Sequence, residues 1–288
     1  MNWERDWPAP GKLNLFLHVV GRRADGYHLL QTVFRFIDLA DTLHFEPRDD
    51  ARIVLATPTP GVPPERDLVV RAAEALKVGA GKTANFAANF AASLGATIYL
   101  DKRIPMGGGL GGGSSDAATT LIALNHLWGC GLSRQALQAI GLTLGADVPI
   151  FIHGQSAFAE GVGEQFTDVH APDAWYLLTM PDIAVPTQEI FRSPMLSRDT
   201  PAIQPAAWRP GWGHNDLEAV ACKLYPAVAQ HLECLRPHGI ARMTGSGACC
   251  FVDFPNEASA QTAQVSLPGN MKGLIVRGLA THPLSTLT

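Results

Sequence analysis

Between Lys12 and Val19 apolar and mixed positions alternate strictly: Leu13, Leu15, Leu17 and Val19 interleave with Lys12, Asn14, Phe16 and His18. An extended strand puts the aliphatic row on one face and Lys12 with Asn14, two residues apart, on the other. A turn at 21–26, GRRADG, sends the chain back through Tyr27-His28 into a second strand-like run at 30–38. Further strands are predicted at 42–46, 52–55 and 96–100, with a proline-rich loop at 58–64 and Asp67 capping a helix through Lys77. The span 83–94, which contains NFAANFAA, reads as an Ala-rich helix or packed loop that fills a core. A second domain opens at 157–163, with strands at 176–180, 249–252 and 273–278. Its helices start near Thr187, at Asn215 and at Ala227, and a last one runs up to Pro268, while 193–210 has no period. The pattern is that of an α+β fold in two layers, divided into 1–156 and 157–288.

One stretch fits neither period. PMGGGLGGGSSDAA, 105–118, packs six glycines into seven positions around Leu110. Glycine gives up the most backbone entropy on ordering and has no side chain to pack, so this run is a loop. It follows the strand at 96–100 and precedes a helix, with Ser114 or Ser115 as the expected cap, Asp116 at the positive end, and Ala118, Leu121, Ile122 and Leu124 as the apolar stripe before Gly129. Strand, glycine loop and helix start together make an anion site, because backbone N–H groups converge where no side chain blocks approach. A nucleotide's phosphates are the expected anion.

Two other glycine signatures compete. Gly107, Gly109 and Gly112 satisfy GxGxxG, but a dinucleotide fold needs a second strand ending in an acidic residue, and the chain runs instead into another helix from Ser133 to about Leu144. GAGKT at 79–83 resembles the end of a Walker A loop but has Leu76 where that loop has glycine.

Composition narrows the field. The chain has 288 residues, 47% of them hydrophobic, enough for a large core and two domains. A net charge of −4 without a basic cluster argues against nucleic acid as a partner, so a small molecule is expected. Five cysteines, Cys130, Cys222, Cys234, Cys249 and Cys250, show no metal spacing and read as reduced thiols. With no long apolar run and no signal-peptide pattern, a cytoplasmic protein with no membrane partner is expected.

Three further features carry possible chemistry. Lys12 opens its strand after a Pro-Gly corner, placed to serve anionic oxygens or simply to lie on a solvated face. Asp147, between a helix end and Pro149, is an expensive place for a carboxylate unless a partner such as Lys12 pairs with it; the alternative is a turn-forming Asp. Tyr27-His28 offers a π face beside a ring donor and acceptor, or plain edge packing.

PAPGKLNLFLHVVGRRADGYHLL, PMGGGLGGGSSDAA with GADVPIF after it, and MTGSGACCF at 243–251 resemble, in order and spacing, the three motifs of the galactokinase, homoserine kinase, mevalonate kinase and phosphomevalonate kinase (GHMP) superfamily. GKLNL, DGYH, GADVPIF and AFAEGVGE at 157–164 resemble its branch acting on a cytidine-diphosphate-linked methylerythritol in non-mevalonate isoprenoid synthesis. The resemblance spans nearly the whole chain. It implies an N-terminal ATP-loop domain, a ferredoxin-like C-terminal domain and an active site between them. By resemblance Lys12 and Asp147 are the catalytic pair. Lys102, Pro105, Met106, Gly107, Gly108, Gly109, Leu110, Gly111, Gly112, Gly113, Ser114 and Ser115 bind ATP. Asn14, Tyr27, His28, Thr187 and Phe191 hold the cytidine-bearing substrate, and Gly245 to Gly247 support the site. Magnesium is expected with ATP, held by the nucleotide and Ser115. Asp67 stands where the family has Asn at the adenine end. The open alternatives are a sister kinase acting on homoserine or mevalonate, a nicotinamide-dependent oxidoreductase and a catalytically dead sugar-sensing relative.

Overall fold

The computed structural model describes residues 2–81 and 93–287, so NFAANFAA and the last two residues of GAGKT lie outside the described residues. Gly79 and Ala80 close a helix instead of preceding one, which is the reverse of a Walker loop.

β1 (Trp7–Arg22) and β2 (His28–Arg48) form a long antiparallel pair. The separate strands predicted at 30–38 and 42–46 are one, because Ala40 and Asp41 continue the pairing opposite Pro10 and Ala9. The Asp41 carboxylate accepts from the backbone N–H groups of Arg103 and Ile104 and from Lys102. Register shifts between Pro10 and Lys12 and between Asn14 and Leu17 mark bulges that bend β1 across the molecule. It therefore contributes to four hydrophobic clusters: Trp7 and Ala9 to one, Leu13 to a second, Phe16 to a third, Leu17 and Val19 to a fourth. The polar row is not solvated either, since Lys12, Asn14 and His18 are all buried.

β3 (Ile53–Leu55) joins β4 (Gly95–Asp101) in parallel, and β4 pairs antiparallel with β2. Against this sheet lie α1 (Leu68–Ala80), α2 (Gly112–Leu127), α3 (Arg134–Leu144) and α4 (Val148–His153). Asp67 caps α1 as predicted and its second oxygen accepts from Thr59, tying down the proline-rich loop. Ser133 caps α3. α2 is buried almost all round, as a central helix must be. Two of its inward polar groups are satisfied locally: Thr120 donates to the Asp116 carbonyl and Asn125 bonds both ways with Leu132. No strand intervenes between α2 and α4, so the dinucleotide-binding arrangement is absent.

The C-terminal half contains β7 (Trp175–Thr179), α5 (Thr187–Arg192), α6 (Asp216–Leu224), α7 (Pro226–Leu235), β8 (Arg242–Met243), β9 (Cys250–Phe254), α8 (Glu257–Val265) and β10 (Gly273–Leu279). Its strands run β10-β7-β9-β8, all antiparallel, which is the ferredoxin-like order. Among the described residues, two pairings of named strands join the halves. The hairpin β5 (Ala157–Glu160) and β6 (Gln165–Asp168), at the start of the second domain by the sequence reading, is hydrogen-bonded to β2 of the first half. β10 pairs with β2 at Gly278 and Leu279. All five cysteines are free thiols, and no helix among the described residues is long and apolar enough to cross a membrane.

Near the C-terminus His282 closes the N-terminal core beneath α4. Its imidazole lies edge-on to Phe36 and Phe151, with centroids 5.7 and 6.4 Å away, and Nδ1 accepts from Leu284 N–H. Burial pushes its pKa down to about 3. The folded value lies below the unfolded one, so below about pH 6.5 the unfolded chain takes up a proton that the folded chain refuses, and stability is lost as pH falls. From pH 7 to pH 5 this site should cost about 2 kcal/mol. Urea denaturation at the two pH values should show that loss and should show it removed in His282→Asn, which keeps an acceptor for Leu284. An equal pH response in the variant would contradict the assignment.

Candidate active site

The glycine loop crosses from β4 to α2 with Gly107, Gly109 and Gly111 at φ of 73°, 72° and 73°, in the left-handed region where a side chain is strained. Leu110 points the other way, into the cluster with Leu13, Ile37 and Ile104, and anchors the loop. The helix begins earlier than the sequence suggests. Gly111 occupies the cap position with no side-chain cap bond, and Ser114 and Ser115 sit inside the first turn. A Ser cap would fill the place where an anion binds; a glycine leaves the first amides of α2 open, with Ser115 N–H already bonded back to the Gly111 carbonyl.

A second glycine turn, 244–247, presses on the first. A Cβ on Gly109 would lie 2.3 Å from the Thr244 carbonyl oxygen, and one on Gly245 would lie 3.2 Å from the Gly109 Cα. Ala248 and Cys249 N–H groups donate to the Gly107 and Gly108 carbonyls at 3.3 and 3.2 Å. Lys12 N–H donates to the Leu110 carbonyl at 2.9 Å, fastening β1 to the same loop.

Lys12 and Asp147 meet beside this double turn. Lys12 Nζ lies 3.3 Å from Asp147 Oδ2, with the lysine side chain 3% and the aspartate 39% exposed. A buried ammonium is costly unless paired, and Asn14 supplies the rest of the pairing by accepting from Nζ at 2.6 Å. Asn14 Nδ2 donates to Thr32 Oγ1, which donates to the Phe16 carbonyl, and the backbone N–H of Asn14 donates to Thr244 Oγ1. Asp147 stands at the cap position of α4 but makes no cap bond, so its carboxylate is not committed to the helix.

Lys12, Asn14, Thr32 and Asp147 line a cavity of about 380 Å³ between the halves, with Gly107, Gly109, Gly111 and Ser114 on one side and Gly245, Ser246 and Gly247 on another. A second cavity of about 600 Å³ shares Leu30, Ala146, Val162, Thr187 and Phe191 with it. Tyr27, 63% exposed, and His28 line this second cavity. Thr187 Oγ1 bonds Ser246 Oγ at 2.7 Å, connecting its floor to the second glycine turn.

Among the expected nucleotide contacts, Pro105, Met106, Gly108, Gly112 and Gly113 belong to the loop and helix start but do not line the first cavity. Lys102 is held between Asp41, at 2.5 Å, and Asp116, at 2.7 Å, beside the start of α2. One cation thus serves two enclosed carboxylates. Burial, with Asp41 adding to it, pushes Asp116 up to about 8 against the pull of Lys102. Ser115 is fully enclosed and its Oγ has no hydrogen-bond partner among the described residues. Among the described residues no cluster of three or more His, Cys, Asp and Glu could hold a metal.

Several residues that shape the site are not visible to pattern reading. Thr32 and Thr244 look like ordinary strand and turn residues, yet both bond Asn14. Asn215 reads only as the cap of α6, but its Nδ2 also donates to the Met243 and Gly245 carbonyls and holds the second glycine turn. Arg198 lies in the aperiodic segment, where only its charge marked it.

Residues 67–155 match the model of the GHMP kinases N terminal domain, and residues 207–273 match that of the GHMP kinases C terminal. A 4-diphosphocytidyl-2-C-methyl-D-erythritol kinase of Dechloromonas aromatica (strain RCB) is 59% identical over 283 residues, covering 98% of this chain and 100% of that one. The same-named protein of Thiobacillus denitrificans is 56% identical over 278 residues, covering 96% of each. A solved 4-(cytidine 5'-diphospho)-2C-methyl-D-erythritol kinase is similar at a TM-score of 0.79 and 32% identity, over 95% of this chain and 99% of that one. A homoserine kinase from Cytophaga hutchinsonii gives a TM-score of 0.71 at 15% identity over 98% and 96%, a likeness of fold.

The cap glycine yields a direct test. A Cβ on Gly111 would lie 3.0 Å from Phe151 Cζ and 3.1 Å from Lys12 Cε, at a φ that a β-branched residue rarely adopts. Gly111→Val should abolish ATP binding in titration calorimetry and displace Lys12, while circular dichroism shows the fold largely retained. Wild-type ATP affinity in a folded variant would contradict the role given to this cap.

Proposed function

The chain belongs to the GHMP kinase family, and from that premise we propose that it transfers the γ-phosphoryl group of ATP to the 2-hydroxyl of 4-diphosphocytidyl-2-C-methyl-D-erythritol, in non-mevalonate isoprenoid precursor synthesis. The observation that carries this reading is the Lys12–Asp147 pair at 3.3 Å, set in a cavity walled by two glycine turns and open to a second cavity lined by rings. Phosphoryl transfer asks a protein mainly for positioning and charge stabilisation, and those are what this arrangement provides.

The amides at the start of α2 and the glycine loop from Pro105 to Ser115 receive the ATP phosphates, with Lys102 bracing the helix start. Asp147 accepts the proton as the substrate oxygen bonds to the γ-phosphorus and the bond to the bridging oxygen of ADP breaks. Lys12 has three donors, two of them committed to Asn14 and Asp147, which leaves one for the phosphoryl oxygens as charge moves onto them. Asn14 holds Lys12 in place. The second cavity takes the cytidine diphosphate, with Tyr27, His28, Phe191 and Thr187 around the base and ribose; homoserine and mevalonate carry nothing to fill it. Ser115, an enclosed hydroxyl without a partner among the described residues at the first turn of α2, fits the hard oxygen donor that magnesium takes alongside phosphate oxygens. That ion neutralises phosphate charge when bound.

A coupled ADP-release assay across the cytidine-diphosphate alcohol, homoserine and mevalonate should give turnover with the first alone; preference for either of the others overturns the reading. In the same assay Asp147→Asn should lower kcat by about 10² to 10⁴ with KM nearly unchanged, the usual worth of a general base. Lys12→Met should also lower kcat, and the double variant should be little slower than the slower single one, since both residues act on one transfer. Near wild-type turnover of Asp147→Asn would make this residue a turn aspartate.

A further inference from the structure

Arg198 lies outside the motifs and far along the chain from the strands of the site, yet all four of its hydrogen bonds converge on the wall of the second cavity. Nη1 donates to the Leu196 carbonyl at 2.9 Å, and Nη2 to the carbonyls of Phe191 and Ser193 at 3.0 and 2.8 Å. These carbonyls belong to the last turn of α5 and the turn after it, where a helix leaves its acceptors unpaired. Nε donates to His28 Nε2 at 3.1 Å. Phe191 in turn packs its ring 5.0 Å from the imidazole. The guanidinium thus holds both a backbone and a side-chain wall of the cavity.

The chemistry of that last bond is one-sided. Guanidinium carries donors only and does not deprotonate, so the nitrogen facing it must offer a lone pair. A neutral imidazole with its lone pair on Nε2 carries its proton on Nδ1. A second proton on Nε2 would set donor against donor beside a fixed positive charge. Burial, then Arg198 and Arg22, hold the imidazole below its ordinary pKa, and Asp25 and Arg192 are the other charged groups lining the cavity. Nδ1 has no hydrogen-bond partner among the described residues.

We infer that Arg198 is a positioning residue that locks His28 as the neutral Nδ1–H tautomer, so that this ring offers a donor, and no acceptor, to the pyrimidine that enters the pocket. In its use of a pyrimidine this rests on the function proposed above; the tautomer itself does not. Cytosine meets such a donor with N3 and O2, whereas uracil places an N3–H between its carbonyls.

The tautomer can be read on the free protein from long-range proton–nitrogen NMR of ¹⁵N-histidine-labelled chain, with His28 assigned by its disappearance in His28→Gln. The expected spectrum shows a protonated Nδ1 and an unprotonated Nε2 at neutral pH. In Arg198→Met the lock is released, and the spectrum should move towards the mixture of Nδ1–H and Nε2–H tautomers found in an unconstrained histidine side chain. The KM for the cytidine-diphosphate alcohol should rise about tenfold, the worth of one buried hydrogen bond, with kcat moving far less and the KM for ATP unchanged. A protonated Nε2 in the unsubstituted protein overturns the inference, and that measurement needs no variant to fold. An unchanged spectrum and KM in Arg198→Met overturn it as well. Nδ1–H in a protein that turns over no cytidine compound leaves the lock standing and removes the proposed function instead.

Discussion

The structure turns on a contact between two stretches of bare backbone. The turn at 107–111 and the turn at 244–247 approach so closely that a methyl group on Gly109 has no room. Close approach of this kind requires glycine on both sides, which is why two glycine-rich motifs more than a hundred residues apart both belong to the site. The contact fixes the C-terminal half against the start of α2. Because Lys12 N–H is bonded to the Leu110 carbonyl, it also sets β1 against the loop. Everything that the site needs to hold at a fixed distance, the open amides, Lys12 and the floor of the second cavity, is referred to this one joint.

A joint made of backbone leaves a buried ammonium to be dealt with by side chains. Lys12 is almost wholly enclosed, and its charge is tolerable only because Asn14 and Asp147 answer it. Asn14 is itself kept in register by Thr32 from β2 and Thr244 from the second turn, so the lysine is positioned by three separate elements of chain. Such a network is stable when every member is satisfied and a liability when one is not. Asp147 differs from the rest: it is half-exposed, makes no cap bond to its helix and lines the cavity, as the proposed proton acceptor must.

Local chemistry made much of this visible in the chain itself. The glycine loop, the caps at Asp67, Ser133 and Asn215 and the strand through Lys12 are short-range patterns, and each forms where expected. Ser114 and Ser115 misled because a good capping residue next to a glycine run looks like a cap, whereas the empty cap is what an anion site needs. That β2 runs unbroken through Asp41 depends on partners some sixty residues away, which the local pattern at 30–46 does not contain. Thr244, paired with Asn14 across 230 residues, and Arg198, in a segment without period, leave no periodic trace. Their roles are set by tertiary contact alone.

The joint is probed most directly at Thr244, which is fully buried, touches the Gly109 carbonyl and the Asn14 amide with one hydroxyl, and lies outside the residues assigned to substrate. Thr244→Val keeps the shape and removes that hydroxyl. Loss of these bonds should cost about 1 to 3 kcal/mol of stability. If the joint sets the geometry of the site, kcat measured on the folded fraction at saturating substrates should fall about 10- to 100-fold, as small misplacements of reacting groups do. Destabilisation with wild-type kcat would contradict the account, since the site would then hold its geometry without the joint.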